Sequence, residues 1–384
     1  MMPDKSCPLC ASRRLSQFLH RSNVPVHQNL LMQTREQAMD IVRGDLAMTV
    51  CIDCGFVFNA AFDPAKLNYG ESYDNNQGCS SSFQQHLDDL VGLLIDSKGV
   101  RNKQVVEVGC GQGQFLQRLV REGGNSGVGF DPSYSGPEEL LDGRMRFESR
   151  YYDESCTAVP ADVVICRHVI EHVPDPVALL RSVRAAIGER SSAKVYFETP
   201  CVEWILSNGV VWDFFYEHCS LFTAESLTTA FEMAGFRVDE VRHIFGGQYL
   251  WLEASPVVST VTLDGERISD LAALFSREEK QLYRDWQSRI AGYARTGRVA
   301  LWGAGAKGAT FANLIDPGRE LIDCLVDLNP NKQGKYVAGS GHAIVDPQQL
   351  GERGVTDVVL MNPNYRDENM MILKQAGISL NMIE

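Results

Sequence analysis

The chain has 384 residues, a hydrophobic share of 44% and a formal net charge of -13, so it is long enough for two or three domains, each with its own core. That charge excludes a general nucleic-acid binder, because neutralising phosphates needs clustered Lys and Arg. No apolar run approaches a membrane span, and the start of the chain, with Asp4 and Lys5 and no apolar stretch, does not read as a signal peptide, so a cytoplasmic protein is expected.

The first unit is expected over residues 1–75 and contains two pairs, Cys7-Pro8-Leu9-Cys10 and Cys51-Ile52-Asp53-Cys54. Each Cys-x-x-Cys presents two thiolates from one tight turn, and two such turns supply the four soft ligands that tetrahedral Zn2+ prefers. Cys7, Cys10, Cys51 and Cys54 are therefore the expected ligands of a structural zinc; a redox dithiol is the alternative. With eleven cysteines in all, the others read as buried thiols rather than disulfides. Gly55 and Phe56-Val57-Phe58 suggest a turn feeding a strand, and a polar stretch over 35–42 suggests a short helix. A tyrosine-rich linker over 69–77 closes this unit.

The second unit is expected over 76–256. Leu87, Leu90, Val91, Leu94 and Ile95 recur at helical spacing between Phe83 and Lys98. Strands are then predicted at 105–108, 127–130, 163–166 and 195–198, with helices at 113–122 and 177–187 between some of them. That alternation predicts a doubly wound parallel sheet in an α/β domain. The third unit, 257–384, opens with a charged helix over 271–294 and restarts as strand, glycine turn and helix at Val299, with further strands at 321–326 and 357–361. A second Rossmann-like α/β domain is expected there.

The first glycine turn, Glu107-Val108-Gly109-Cys110-Gly111-Gln112-Gly113, lets the backbone bend sharply and approach a ligand. It departs from Gly-x-Gly-x-x-Gly at Gln114. The run resembles motif I of the class I S-adenosylmethionine-dependent methyltransferases. The resemblance implies that Glu107, Gly109, Gly111 and Gly113 lie beside the cofactor and that Asp131, after the second strand, bonds its ribose hydroxyls; a turn role before Pro132 is the plainer reading of that acid. Arg167-His168-Val169-Ile170-Glu171-His172 looks like the family's segment bordering cofactor and substrate, which places Arg167 and His168 at the cofactor. His172 reads as an ordinary helix residue.

The loop Trp212-Asp213-Phe214-Phe215-Tyr216-Glu217-His218 brings Tyr216, Glu217 and His218 together, and a histidine, with a reference pKa of about 6.5, suits proton removal near neutrality. The order of cysteine module, motif I, Glu-His loop and C-terminal Trp302-Gly303-Ala304-Gly305-Ala306-Lys307-Gly308 is similar, over nearly the whole chain, to the three-domain C-methyltransferases of nucleotide-linked keto-deoxysugars. That resemblance implies His218 as the base, Glu217 and Tyr216 beside it, and Tyr73, with Tyr69 second, reaching the active site from the linker. An anchored phenol there can hold a keto oxygen; aromatic packing is the alternative. The family pattern is Tyr-His-Glu-His where this chain has Phe215-Tyr216-Glu217-His218, so a hydroxyl is lost at Phe215. Gly303, Gly305 and Lys307 are implied to hold the nucleotide sugar, with Lys307 near a helix N-terminus where a phosphate fits. Two enzymatic alternatives stay open: a methyltransferase acting on O, N or C of a non-sugar metabolite, and an NAD-dependent oxidoreductase, since Gly303, Gly305 and Gly308 satisfy Gly-x-Gly-x-x-Gly and Asp327 follows the next strand. A non-catalytic zinc-dependent binding module is the third. The expected partner is a small molecule, with neither nucleic acid nor membrane.

Overall fold

The computed structural model describes residues 6–67, 74, 78–188 and 192–384, arranged on three sheets. The first is antiparallel: Leu15–Pro25, Arg43–Cys51 and Val57–Asn59 lie side by side, and Ser220–Leu221, from far along the chain, completes the edge. Leu15–Pro25 is absent from the sequence reading because register shifts between Gln17 and Leu19 and between Arg21 and Val24 break its period of two. The helix Arg35–Met39 forms where expected. Thr34 and Gln37 cap it reciprocally, each side chain accepting from the other's amide.

Ser80 caps the helix Ser81–Gly92, which buries Phe83, Leu87, Leu90 and Val91, the face that the apolar spacing picks out. At the centre of the second sheet, Gln104–Val108, Ser126–Phe130, Val163–Arg167 and Lys194–Pro200 run parallel, close to their predicted bounds. The flanks differ from the all-parallel expectation. Tyr249–Ser255 lies antiparallel to Lys194–Pro200, with Arg237–Ile244 antiparallel beyond it, and Glu139–Leu140 closes the opposite edge antiparallel to Met145–Glu148. Every residue of Tyr249–Ser255 is buried, so no polar alternation announces a strand.

The third sheet is parallel, in the order Ile344–Val345, Ile322–Val326, Arg298–Trp302, Val355–Leu360, Asn381–Ile383. The long helix Glu266–Ala294 leads into it and also packs on the first sheet, where Glu279 pairs with the half-buried Arg21 at 2.9 Å and Phe275 meets Phe18 and Phe214 edge-on. One apolar cluster runs from Phe18 and Met48 through Phe214 and Phe275 to Leu301 and Phe311, so the sheets share a core rather than touching at surfaces. Among the described residues no helix is long and apolar enough to cross a membrane.

Candidate active site

A cavity of about 890 Å³ opens at the first glycine turn and is lined by Glu107, Gly109, Gly111, Asp131, Arg167 and His168 among others. The three glycines serve different ends. Gly109 and Gly113 have φ of +71 and +76, and a Cβ would lie 2.0 Å from Val169 Cγ2 at the first and 2.3 Å from the Phe147 ring at the second; at Gly111 the space is open. Gly113 does not line the cavity, contrary to its expected cofactor contact; its task is to let the turn close on Phe147. Asp131 stands at the end of its strand as expected. Its Oδ2 accepts the Gly111 amide at 2.9 Å and its Oδ1 the Ser133 amide and hydroxyl at 2.8 and 2.6 Å. Glu107 is buried and accepts the Leu116 amide at 3.2 Å; burial pushes its carboxyl up to about 8, against the pull of the Arg167 guanidinium.

Beyond this turn lies a buried charge cluster. Glu198, 0% exposed, has His86 Nε2 at 2.6 Å, accepts from Arg167 Nε at 2.7 Å and has His168 Nε2 at 3.6 Å. Burial works against its ionised form, but Arg167 and His168 outweigh it and hold the carboxyl well below the ordinary range. Arg167 also lies 4.4 Å above the Phe115 ring.

The second cavity, about 220 Å³, is lined by His168 and His172, which it shares with the first, and by Phe215, Glu217, His218, Gly303, Gly305 and Lys307. His172, expected as a plain helix residue, thus stands where the cavities meet. Its ring is edge-on to His218 at 4.8 Å, and Phe215 covers His218 at 4.0 Å. Burial first, then the neighbouring His172, His168 and Lys307, hold the His218 imidazole well below its usual range, so it is neutral at neutral pH. Its Nδ1 is sealed without a hydrogen-bond partner, which leaves Nε2 as the nitrogen for a substrate proton.

The two residues before His218 bond to other parts of the chain. Glu217, also 0% exposed, places Oε1 3.0 Å from His27 Nδ1 and accepts the Gln28 amide on Oε2 at 3.0 Å. It therefore anchors the segment 27–29, which brings Asn29 to the second cavity, instead of orienting His218. Tyr216 lines neither cavity. Its hydroxyl accepts the Asp63 amide at 2.8 Å, and its ring fills the space beside Gly44, where a Cβ would lie 2.3 Å from it. The expectation that Tyr216 joins the chemistry is corrected accordingly. Tyr69 and Tyr73 lie outside the described residues.

In the third sheet's turn the Asp131 arrangement recurs: Asp327 Oδ2 accepts the Ala304 amide at 2.9 Å. A Cβ at Gly308 would lie 1.8 Å from the Gly303 carbonyl oxygen, so the helix can approach the turn only with glycine there. Lys307, the expected phosphate partner, has its Nζ 2.8 Å from Asp213 Oδ2 and 3.0 Å from Gln248 Oε1, so its charge is already answered. The sequence reading missed His27, Asn29, His86, Glu198 and Gln248. None of them belongs to a recognisable motif, and only the fold brings each to the site or its supports.

The four cysteines converge. Cys7 Sγ is 3.7 Å from Cys54 Sγ and Cys10 Sγ 3.5 Å from Cys51 Sγ, with all four sulfurs within 4.8 Å of one another and none in a disulfide. A tetrahedron of sulfurs about 2.3 Å from a central Zn2+ has edges of about 3.8 Å. The close pairs run between the two turns rather than within one, so the four sulfurs fit the ligand set of one shared ion.

Residues 83–241 match the model of a methyltransferase domain, on the sheet that carries the first glycine turn, so the fold and the cavity define an S-adenosylmethionine-dependent methyltransferase. Residues 269–378 match the C-methyltransferase C-terminal domain, which replaces the dehydrogenase reading of the Gly303 turn. The chain belongs to the C-methyltransferase family built from these two domains behind a four-cysteine cluster. It is 28% identical over 315 residues to C-methyltransferase NovU of Streptomyces niveus, covering 75% of this chain and 73% of that protein. A ubiquinone biosynthesis O-methyltransferase of Sodalis glossinidius is 30% identical over 118 residues, 28% of this chain and 45% of that one. Among solved structures, magnesium protoporphyrin IX methyltransferase (ChlM) from Synechocystis PCC 6803 aligns at 16% identity with a TM-score of 0.37, covering 49% of this chain and 90% of that one.

Proposed function

We propose that this C-methyltransferase alkylates a carbon next to the ketone of a nucleotide-linked keto-deoxysugar, with His218 as the base. The observation that carries the reading is the meeting of the two cavities at His168 and His172, with the cofactor turn in one and a neutral His218 in the other. Bound S-adenosylmethionine supplies an electrophilic methyl group. Asp131 would accept its ribose hydroxyls, and Gly111 leaves room for it beside the turn. His218 Nε2 would take the proton from the carbon, the C–H electron pair passes into an enolate, and that carbon forms the new bond to methyl as the methyl–sulfur bond breaks with its pair going to sulfur. Gly303, Gly305 and Lys307 line the place for the nucleotide end. Cys7, Cys10, Cys51 and Cys54 would hold zinc with no open position, so its part is structural. That the relative from Streptomyces niveus is named a C-methyltransferase supports carbon as the acceptor atom.

The size of the second cavity, about 220 Å³, favours a second reading. Sites for drug-sized ligands run from about 300 Å³ upward, so a smaller non-sugar carbonyl compound is the other candidate acceptor. Incubating the full chain with labelled S-adenosylmethionine and a panel of nucleoside-diphosphate keto-sugars and non-sugar ketones, then identifying the labelled product, separates the two. His218→Ala should abolish turnover of the accepted substrate while leaving cofactor binding intact. Unchanged turnover would remove the base assignment.

A further inference from the structure

The two cavities share His168 and His172 in their walls, so a methyl group passing from one to the other passes these rings. His168 sits there under constraint. Its φ of +54 is a left-handed conformation that costs a residue with a Cβ, and it persists only where the surroundings hold it. Its Nδ1 lies 3.5 Å from Glu171 Oε1 and its Nε2 3.6 Å from Glu198 Oε2, while Tyr249 packs edge-on at 4.6 Å. Glu171 and Glu198 are 1% and 0% exposed. Glu198 has Arg167 Nε at 2.7 Å and His86 Nε2 at 2.6 Å, and Glu171 accepts from the Thr199 hydroxyl at 3.0 Å; His168, whose Nε2 makes no hydrogen bond, is the group within ion-pair range of both acids. His86 from the helix Ser81–Gly92, His172 from the adjoining turn, and His218 and Lys307 across the second cavity complete the titratable surroundings. Burial alone would keep the ring neutral; Glu198 and Glu171 outweigh it and raise the imidazole to about 9.

We propose that His168 is a catalytic residue whose imidazolium charge, fixed at the junction of the cavities, stabilises the substrate enolate and disfavours the sulfonium cofactor relative to its neutral thioether product. The proposal rests on the carbon-acid reading above and gives the anion of that reading a partner. His218 receives the proton, the electron pair moves to the enolate oxygen, and His168 keeps its own proton throughout. As the carbon–methyl bond forms, the carbon–sulfur bond breaks with its pair going to sulfur. The positive charge facing His168 and the negative charge on the enolate disappear together, so the repulsion of the sulfonium is relieved as the attraction for the enolate is given up, and the ring's net help falls on forming the enolate. This is a different role from the cofactor contact expected from the sequence.

Asparagine tolerates the left-handed backbone better than other residues with a Cβ, so His168→Asn removes the charge with little strain. Calorimetric titrations of the full chain with S-adenosylmethionine and with S-adenosylhomocysteine should be run from about pH 7 to about pH 10, spanning the region where a raised histidine titrates. In the wild type the preference for S-adenosylhomocysteine should shrink about tenfold as the ring loses its proton, the order expected for two like charges at short range. In His168→Asn the preference should be small and flat. With saturating S-adenosylhomocysteine, His168→Asn should also slow deuterium uptake at the acidic carbon of a nucleoside-diphosphate 4-keto-6-deoxyhexose by about tenfold, the order of one short-range charge acting through space. A flat wild-type preference, the same slope in the variant, or unaltered exchange overturns the proposal. Equal weakening of both ligands with exchange intact at saturation would reduce His168 to a cofactor contact and overturn it as well. If His218→Ala keeps full exchange, the base reading fails instead, and the two-ligand preference, which needs no substrate, still judges His168.

Discussion

Replacing Glu217 with alanine removes a partner from two buried groups at once. The carboxylate has His27 Nδ1 on one oxygen and the Gln28 amide on the other, each at 3.0 Å, and no part of it is exposed. Loss of a buried hydrogen-bond partner costs about 1–3 kcal/mol, so Glu217→Ala, which breaks two such contacts, should lower stability by about 2–5 kcal/mol. Urea unfolding of wild type, His27→Ala, Glu217→Ala and the double variant measures it, and the double variant should fall short of the summed losses by about 1–3 kcal/mol, because both single changes break one contact. Glu217→Gln keeps an acceptor for the Gln28 amide and should fall between wild type and alanine. An unfolding midpoint unchanged in Glu217→Ala, together with a collapse in turnover, would refute the reasoning and return Glu217 to the reacting atoms.

Asp131→Ala should weaken S-adenosylmethionine binding by about 10- to 100-fold, the worth of charge-assisted hydrogen bonds to the ribose, and calorimetry that finds the affinity intact would move the ribose elsewhere. Cys51→Ser should cut the metal content from about one zinc per chain and lower the unfolding midpoint; metal analysis finding full occupancy would count against the shared site. Glu107 has its folded pKa raised from 4.5 to about 8, so the folded state holds more protons between those values. Its contribution is complete below pH 4.5 and lost as pH rises towards about 8. Glu107→Gln should therefore remove a decline of a few kcal/mol in stability over that window, and denaturation curves with an unchanged pH slope would contradict the buried, protonated form.

What could be read in the sequence followed from local rules. The two cysteine turns, the glycine turn with its strand, and the helical spacing of Leu87, Leu90 and Val91 are patterns that a few neighbouring residues dictate. What could not be read depends on distant chain or on side-chain direction. Glu217 and His218 are neighbours, yet the partner of Glu217 lies 190 residues back. Phe215 and His218 face the second cavity while Tyr216, between them, turns to Asp63, because a loop has no fixed period from which facing could be predicted. The sequence likewise carries Lys307 near a helix start but cannot show that Asp213 reaches it first.

The short strand Ser220–Leu221, two residues past His218, pairs with Val57–Asn59 and so stitches the proposed base into the cysteine-bearing sheet. During synthesis that sheet has an open edge until the second half of the methyltransferase domain has emerged. An unpaired strand edge invites pairing with other chains, and contacts this far apart along the chain form late. Competence for chemistry should thus be among the last properties the folding chain acquires. Exchanging the cysteine-bearing segment between relatives as a free-standing cassette would unseat the loop that carries the proposed base unless residues 220–221 travel with it.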